Sequence, residues 1–180
     1  MGNPATDWCY RTEPDPGLNG RAINWPRGKV LGGSSSINGL LYVRGQPQDF
    51  EQWRQLGNPG WAWDDVMPLF RRAENWEGEP SAVRGTGGAL NVSESRVQRP
   101  VIDAWVEAAA NLGYERNDDY NGENQEGVGY FQMTIRNGRR CSSATAFLKP
   151  AKGRLNLHIF TGAKTLGLVM EGRRAAGIRV

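Results

Sequence analysis

Arg27-Gly28-Lys29-Val30-Leu31-Gly32-Gly33-Ser34-Ser35-Ser36-Ile37-Asn38-Gly39 is the stretch that decides how this chain is read. It places a double glycine and a run of serines beside an apolar Val30-Leu31 step. Gly32-Gly33 admits left-handed or crowded backbone that a Cβ forbids. Ser34 or Ser35 can cap a helix beginning at about Ser36, with free N–H groups pointing at whatever lies in front. Amides at a positive dipole end attract a phosphate or an electron-rich ring. The physical reading is a cradle for an anionic or heteroaromatic cofactor. On glycine and serine content alone, the alternative is a plain connecting loop.

Composition narrows the classes. A chain of 180 residues is long enough for one domain with a core. The hydrophobic fraction of 38% and mean hydropathy of −0.60 suit a soluble protein. Net charge is +3, and Arg71-Arg72, Arg139-Arg140 and Arg173-Arg174 are pairs rather than a basic block, so no nucleic-acid surface is implied. The tryptophans follow helical spacing and do not interleave with basic residues, which argues against stacking platforms for bases. Cys9 and Cys141 offer no CxxC and no zinc quartet, and two free thiols are expected. No charged-then-apolar leader and no membrane-length apolar run is visible.

Outward from the central stretch, residues 2–20 are turn-rich and predict an extended arm, with Asp7-Trp8-Cys9-Tyr10 as an aromatic patch packed on the body. Pro47 opens a helix to about Leu56, stopped by Gly57-Asn58-Pro59-Gly60. Asp64, as N-cap or first-turn acid, precedes a helical stripe of Val66, Met67, Phe70, Ala73 and Trp76. Met67, Phe70 and the tryptophans read as core rather than as a substrate cage. Ala89 to Ser93 predicts a strand. Pro100 opens a helix with Val101, Ile102, Trp105, Val106, Ala109 and Leu112 on one side, closed by Gly113. Val128 to Ile135 alternates, and Asn137-Gly138 predicts a tight turn. A short helix is expected from Ala144 to Leu148. Residues 155–160, 165–170 and 175–180 read as strands, with Glu171-Gly172 turning the last pair.

Three tempting motifs fail on their chemistry. Gly85-Thr86-Gly87-Gly88 has neither the strand nor the spacing of a dinucleotide fingerprint. Asn117-Asp118-Asp119-Tyr120-Asn121-Gly122 imitates a calcium loop, but Val128 stands where a bidentate Glu is required, so a solvated turn is the reading and no metal is expected. His158, the only histidine, sits in an apolar run without the partners a general base needs.

The block from Asn24 through Gly45 resembles the first signature of the glucose–methanol–choline family of flavin-dependent oxidoreductases, in its choline-dehydrogenase branch. The likeness runs almost end to end. Asp119-Tyr120-Asn121-Gly122 and Gln125-Glu126-Gly127-Val128-Gly129 are similar to the stretch before a substrate-domain strand. Gly138 to Leu148 is similar to the segment returning to the FAD domain.

The resemblance implies a mixed α/β (α+β) fold: part of a Rossmann-like FAD-binding domain with part of a substrate-binding domain. Residues 1–60 would be the FAD portion, 61–140 the substrate or lid portion, and 141–180 the return. It implies FAD contacts at Arg27, Gly28, Val30, Gly32, Gly33, Ser34, Asn38, Gly39 and Leu41, with the backbone of Ile159 at adenine. Asn38 is the expected flavin-edge or substrate hydrogen bond, its alternative role being to hold a turn. Ile37 stands where some members carry the histidine that bonds FAD covalently, so FAD is expected to be non-covalent.

The reaction implied is oxidation of a small-molecule alcohol by hydride transfer to flavin N5, with a quinone or oxygen as electron acceptor. The resemblance also implies a cytoplasmic enzyme, with peripheral attachment to the inner membrane left open. Neither the GxGxxG unit nor the catalytic histidine of the family occurs in the sequence, so no catalytic residue is assigned. An internal piece of a longer enzyme, inactive alone and binding FAD weakly or not at all, is the expectation. A non-catalytic binding module or inactive remnant on the same fold is the alternative.

Overall fold

In a computed structural model describing residues 2–180, Glu74 is wholly buried at the junction of a helix and a strand, between two arginines. The helix, α2 (Trp63–Ala73), carries Asp64 and Asp65 in its first turn and Arg71 and Arg72 in its last, the arrangement its dipole favours. Asp65 Oδ2 accepts the Ala62 N–H at 3.1 Å, so Asp64 is a first-turn acid and Ala62 the cap. The stripe expected to continue through Trp76 stops at Ala73. Glu74–Trp76 is strand β3, paired in parallel with β4 (Leu90–Val92), because the Glu74 carboxylate and the Trp76 ring both turn into the interior.

The described residues divide into two compact units, residues 2–150 and Ala151–Val180. In the first, α1 (Pro47–Gln55) is capped by Gln46, whose N–H donates to Asp49 Oδ2 at 2.8 Å, and opens with Pro47. It buries Phe50, whose ring lies 5.8 Å from Phe70 and 5.7 Å from Trp63. Helix α3 (Pro100–Asn111) ends at Gly113, in the left-handed region. Only Val106 of its stripe is buried, while Val101, Trp105 and Leu112 are exposed.

The remaining strands are short. In the arm, β1 (Tyr10–Arg11) pairs antiparallel with β2 (Asn24–Trp25). Strands β5 (Ile135–Arg136) and β6 (Arg139–Arg140) form the hairpin that Asn137-Gly138 predicts, with φ of 50° and 71° at the turn. Ahead of it, residues 128–134 are extended backbone with isolated bridges instead of a strand. Met133 bridges Leu41 on one side and Ser93 on the other, with Met133 N–H to Ser93 O at 2.8 Å and Tyr42 N–H to Gln132 O at 3.0 Å.

The second unit holds β7 (Gly167–Glu171) and β8 (Arg174–Arg179), an antiparallel pair turning at Gly172-Arg173. The strand expected over 155–160 is irregular backbone, with Leu155 and Phe160 almost fully exposed. Its apolar run finds no partner strand in that unit, and an unpaired run leaves its N–H and C=O groups to water.

The interior of the first unit is as much polar as apolar. Arg44 Nη2 and Arg84 Nη2 reach the two Glu74 oxygens at 2.6 and 2.7 Å, and Gly85 N–H adds a third donor at 2.8 Å. Arg84 also pairs with Asp119, bonds Gln132 Oε1 at 2.9 Å, and stacks 4.0 Å over the Trp76 ring. Asn121 Nδ2 shares Gln132 Oε1 at 2.8 Å. The 117–122 stretch is therefore no solvated turn: Asn121 is buried, and Asp119 serves an arginine. The tryptophans also depart from expectation. Trp76 is core, whereas Trp25, Trp53, Trp61 and Trp105 stay exposed, Trp53 and Trp61 in an aromatic cluster around Phe50 that lies near the surface.

Removing one partner of a buried ion pair leaves an uncompensated charge and costs about 3–5 kcal/mol. Glu74→Gln is expected to lose that much by urea denaturation. Asp119→Asn, with its side chain 36% exposed, is expected to lose only about 1 kcal/mol or less. Equal losses would show that Glu74 is not the hub.

The arm offers a pH test. The Asp7 carboxylate accepts N–H groups from Gly2 at 2.8 Å, Cys9 at 3.0 Å and Arg27 at 3.0 Å, and these bonds, Gly2 and Cys9 foremost, hold its pKa below the ordinary value. A lowered folded pKa adds stability that is present above the unfolded value of about 3.9 and lost as pH falls through the folded one. Wild type is expected to lose its advantage over Asp7→Asn below about pH 4, read as the difference in Tm across pH. Parallel Tm profiles would show that the carboxylate gains nothing on folding.

Candidate functional site

Nine of the ten residues expected at a cofactor lie on one continuous segment of the first unit: Arg27, Gly28, Val30, Gly32, Gly33, Ser34, Asn38, Gly39 and Leu41. The tenth, Ile159, belongs to the second unit, where it is exposed on irregular backbone. The segment enters through the arm. Trp8 N–H donates to Arg27 O at 2.9 Å and Lys29 N–H to Thr6 O at 2.8 Å, while Asp7 holds Arg27 N–H. It leaves along Leu41, bridged to Met133.

The helix expected from Ser36 is not there. A single 3-10 turn spans Gly33–Ser36, with Gly32 as its cap at φ 87°. The serine hydroxyls are spent locally instead, which is the competition that disfavours them inside helices. Ser34 Oγ accepts the Gly28 N–H at 3.1 Å, and Ser36 Oγ donates to Leu31 O at 2.9 Å. Ser35 Oγ donates to Gly32 O and lies 2.9 Å from Ser143 Oγ. Ser143 N–H returns to Ser35 Oγ at 2.9 Å, and Ser143 Oγ donates to Gly32 O at 3.1 Å. Ser143 precedes a π-helical turn, Ala144–Leu148, where a short helix was expected.

Two glycines are dictated by this folding. A Cβ on Gly28 would sit 2.2 Å from the Gly33 carbonyl oxygen. A Cβ on Gly32 would meet Ser36 Oγ at 2.5 Å and the Ala144 Cβ at 3.0 Å, on backbone already at positive φ. The result is a tight loop in which no side chain fits at either glycine. The N–H groups of Val30, Leu31 and Gly32 carry no hydrogen bond among the described residues. Val30 and Leu31 are exposed beside them. Consecutive free amides next to apolar side chains suit a ligand that is both flat and rich in acceptors.

Downstream, Leu40 holds φ 71°, unusual for a bulky residue. Asn38 Oδ1 accepts its N–H at 3.1 Å, and its carbonyl accepts Thr134 N–H at 2.8 Å. Leu41 then lines an apolar groove of about 610 Å³ with Ile102, Trp105, Phe131 and Met133. At its rim, Tyr130 OH donates to Asp103 Oδ1 at 2.6 Å, a bond that raises the phenol pKa. Tyr42 and Tyr120, behind the segment, are raised by burial.

The residues that build the loop from outside, Ser143, Arg140 and Thr134, carry no local signal of that role. They follow Ser35 and Leu40 by about a hundred positions. His158 is exposed in the second unit. Among the described residues no cluster of His, Cys, Asp and Glu can hold a metal, and no helix is long and apolar enough to cross a membrane.

Residues 8–180 match the family model for GMC oxidoreductase. The oxygen-dependent choline dehydrogenase of Brucella ovis is 49% identical over 174 residues, 97% of this chain and 32% of that protein. Pyridoxine 4-oxidase from Mesorbium loti superposes with a TM-score of 0.88 at 37% identity, over 96% of this chain and 35% of that one. An FAD-dependent oxidoreductase from Chaetomium thermophilum gives 0.85 at 27% identity, over 98% and 33%. The chain spans about a third of the length of these relatives. Its mixed helix-and-strand architecture is theirs. With a family model covering almost the whole sequence and a relative at this identity, the chain belongs to the GMC oxidoreductase family.

Proposed function

We propose that this chain supplies the flavin-facing part of an FAD-dependent enzyme that oxidises a small-molecule alcohol. One observation carries the reading: the loop that Gly28 and Gly32 allow presents three successive amides, at Val30, Leu31 and Gly32, that no described residue bonds, beside the exposed Val30 and Leu31. Backbone amides suit the carbonyl oxygens and ring nitrogens of an isoalloxazine and the pyrophosphate behind it. Arg27 offers charge beside that face, and Ile159 would bring backbone to adenine.

A bound FAD would supply the hydride acceptor, N5, for an alcohol carbon. This chain's share is to bind, orient and exclude water. Gly28, Gly32, Gly33 and Ser34 shape the cradle. Asn38 and Gly39 would border the ring. Leu41 opens onto the apolar groove, where the carbon skeleton of an alcohol loses water. No side chain here is assigned as the base. The Brucella relative is named for choline and oxygen, so an amino alcohol with oxygen, or a quinone in its place, is the first pairing to try. The division at residues 60 and 140 into FAD, substrate and return portions belongs to the same proposal.

NMR titration with FAD tests the reading. The chain alone is expected to bind weakly, with Kd above about 10 μM, and to show its largest amide shifts between residues 27 and 41. Shifts confined elsewhere at millimolar FAD, or none, would overturn it. Gly32→Val, which forces a side chain onto Ala144 at positive φ, is expected to cost about 1–3 kcal/mol of stability and to abolish those shifts. Because Ile37 has no nucleophile, acid denaturation of flavin-loaded protein is expected to release all the yellow colour into solution. Colour that stays on the precipitated chain would refute non-covalent binding.

A further inference from the structure

Two groups that can only donate converge on one atom of Asn38. Arg140 Nη1 lies 2.8 Å from it and Leu40 N–H 3.1 Å. Neither a guanidinium N–H nor a backbone N–H accepts, so the shared atom must be Oδ1. The partners themselves decide the amide orientation. The other end, Nδ2, has no partner among the described residues, and Asn38 is exposed.

Arg140 is well placed for this. It stands in β6, opposite Ile135, at the return of the Asn137-Gly138 hairpin. The same Nη1 also donates to Ser35 O at 3.1 Å, which ties it to the glycine–serine turn. No ion pair among the described residues includes it. A cation on the oxygen of an amide draws electron density from the nitrogen and strengthens its N–H groups as donors.

We infer that Arg140 is a positioning residue. With Leu40 N–H it captures Asn38 Oδ1, and so commits Asn38 Nδ2 to donate to an acceptor on the bound ligand, a carbonyl oxygen or ring nitrogen of a flavin. This rests on the flavin reading above. The side chain therefore does both jobs that the sequence offers as alternatives: its oxygen holds the turn, and its nitrogen faces out.

The test is NMR of the 180-residue chain, 15N-labelled, as wild type, Arg140→Met, Arg140→Lys and Asn38→Asp, without and with FAD. Without FAD, wild type is expected to show one sharp pair of Asn38 side-chain NH2 signals. Arg140→Met is expected to shift and broaden that pair, and Arg140→Lys, which keeps a donor, to restore it. With FAD, Asn38→Asp fills both acceptor contacts but has no proton to give, and is expected to bind about tenfold more weakly. Arg140→Met is expected to lose about threefold, since its amide can still turn to donate. Unchanged Asn38 signals in a folded Arg140→Met chain, or undiminished FAD binding by Asn38→Asp, would overturn the inference. If wild type shows no FAD-induced shift between residues 27 and 41, the flavin reading fails and the donor half falls with it. The Arg140→Met spectrum without FAD then decides the positioning half on its own.

Discussion

The structure depends on one carboxylate shared by two buried guanidiniums. Glu74 meets Arg44 and Arg84 in the driest part of the first unit, and all three side chains are almost completely withdrawn from water. Desolvating them is expensive, and the arrangement persists because nearly every remaining donor is used. Arg44 Nη1 bonds Val83 O at 2.6 Å, and Arg84 spreads over Asp119, Gln132 and the Trp76 face. No buried side-chain nitrogen or oxygen among the described residues is left without a partner. Such a network specifies one geometry more sharply than an oily core of equal size, since it fails if any member is displaced.

That geometry reaches the glycine–serine loop through a few residues. Arg44 N–H donates to Asn121 Oδ1 at 2.8 Å, and Asn121 and Tyr120 both bond Tyr42 O, at 2.9 and 2.8 Å. Tyr42 in turn takes Gln132 O, and Leu40 takes Thr134. The exit of the loop is thus registered against residues 132–134, while its entrance is held by Asp7 and its middle by Ser143. Three separate parts of the chain fix a loop that has almost no regular structure of its own. A loop so fixed is preorganised, and less ordering entropy is lost when a ligand arrives.

Much of this was legible from residues alone. Helices α1 and α3, the Asn137-Gly138 hairpin and the final strand pair carry strong local punctuation, and proline, glycine and alternation place them well. The special backbone of the loop was legible too, because a double glycine admits the left-handed angles found at Gly32 and Gly33. What could not be read is non-local. The Ser-capped helix at Ser36 gave way because Ser35 spends its hydroxyl on Gly32 and on Ser143. Trp76 left its helical stripe because Glu74, two positions earlier, is claimed by arginines at 44 and 84. Arg44 and Arg84 look like surface residues until their carboxylate is known. Asn121 and Asp119 look like a wet turn for the same reason.

The stitch between Ser35 and Ser143 also governs when the loop can take shape. Its two hydroxyls are 108 positions apart. At about 5–20 residues per second, roughly 5–20 seconds of synthesis separate one from the other on the ribosome. Through that interval the Gly32 carbonyl lacks the Ser143 hydroxyl and keeps only that of Ser35. Completion of the glycine–serine loop is therefore a late event in the life of the nascent polypeptide, timed by the arrival of a single distant serine.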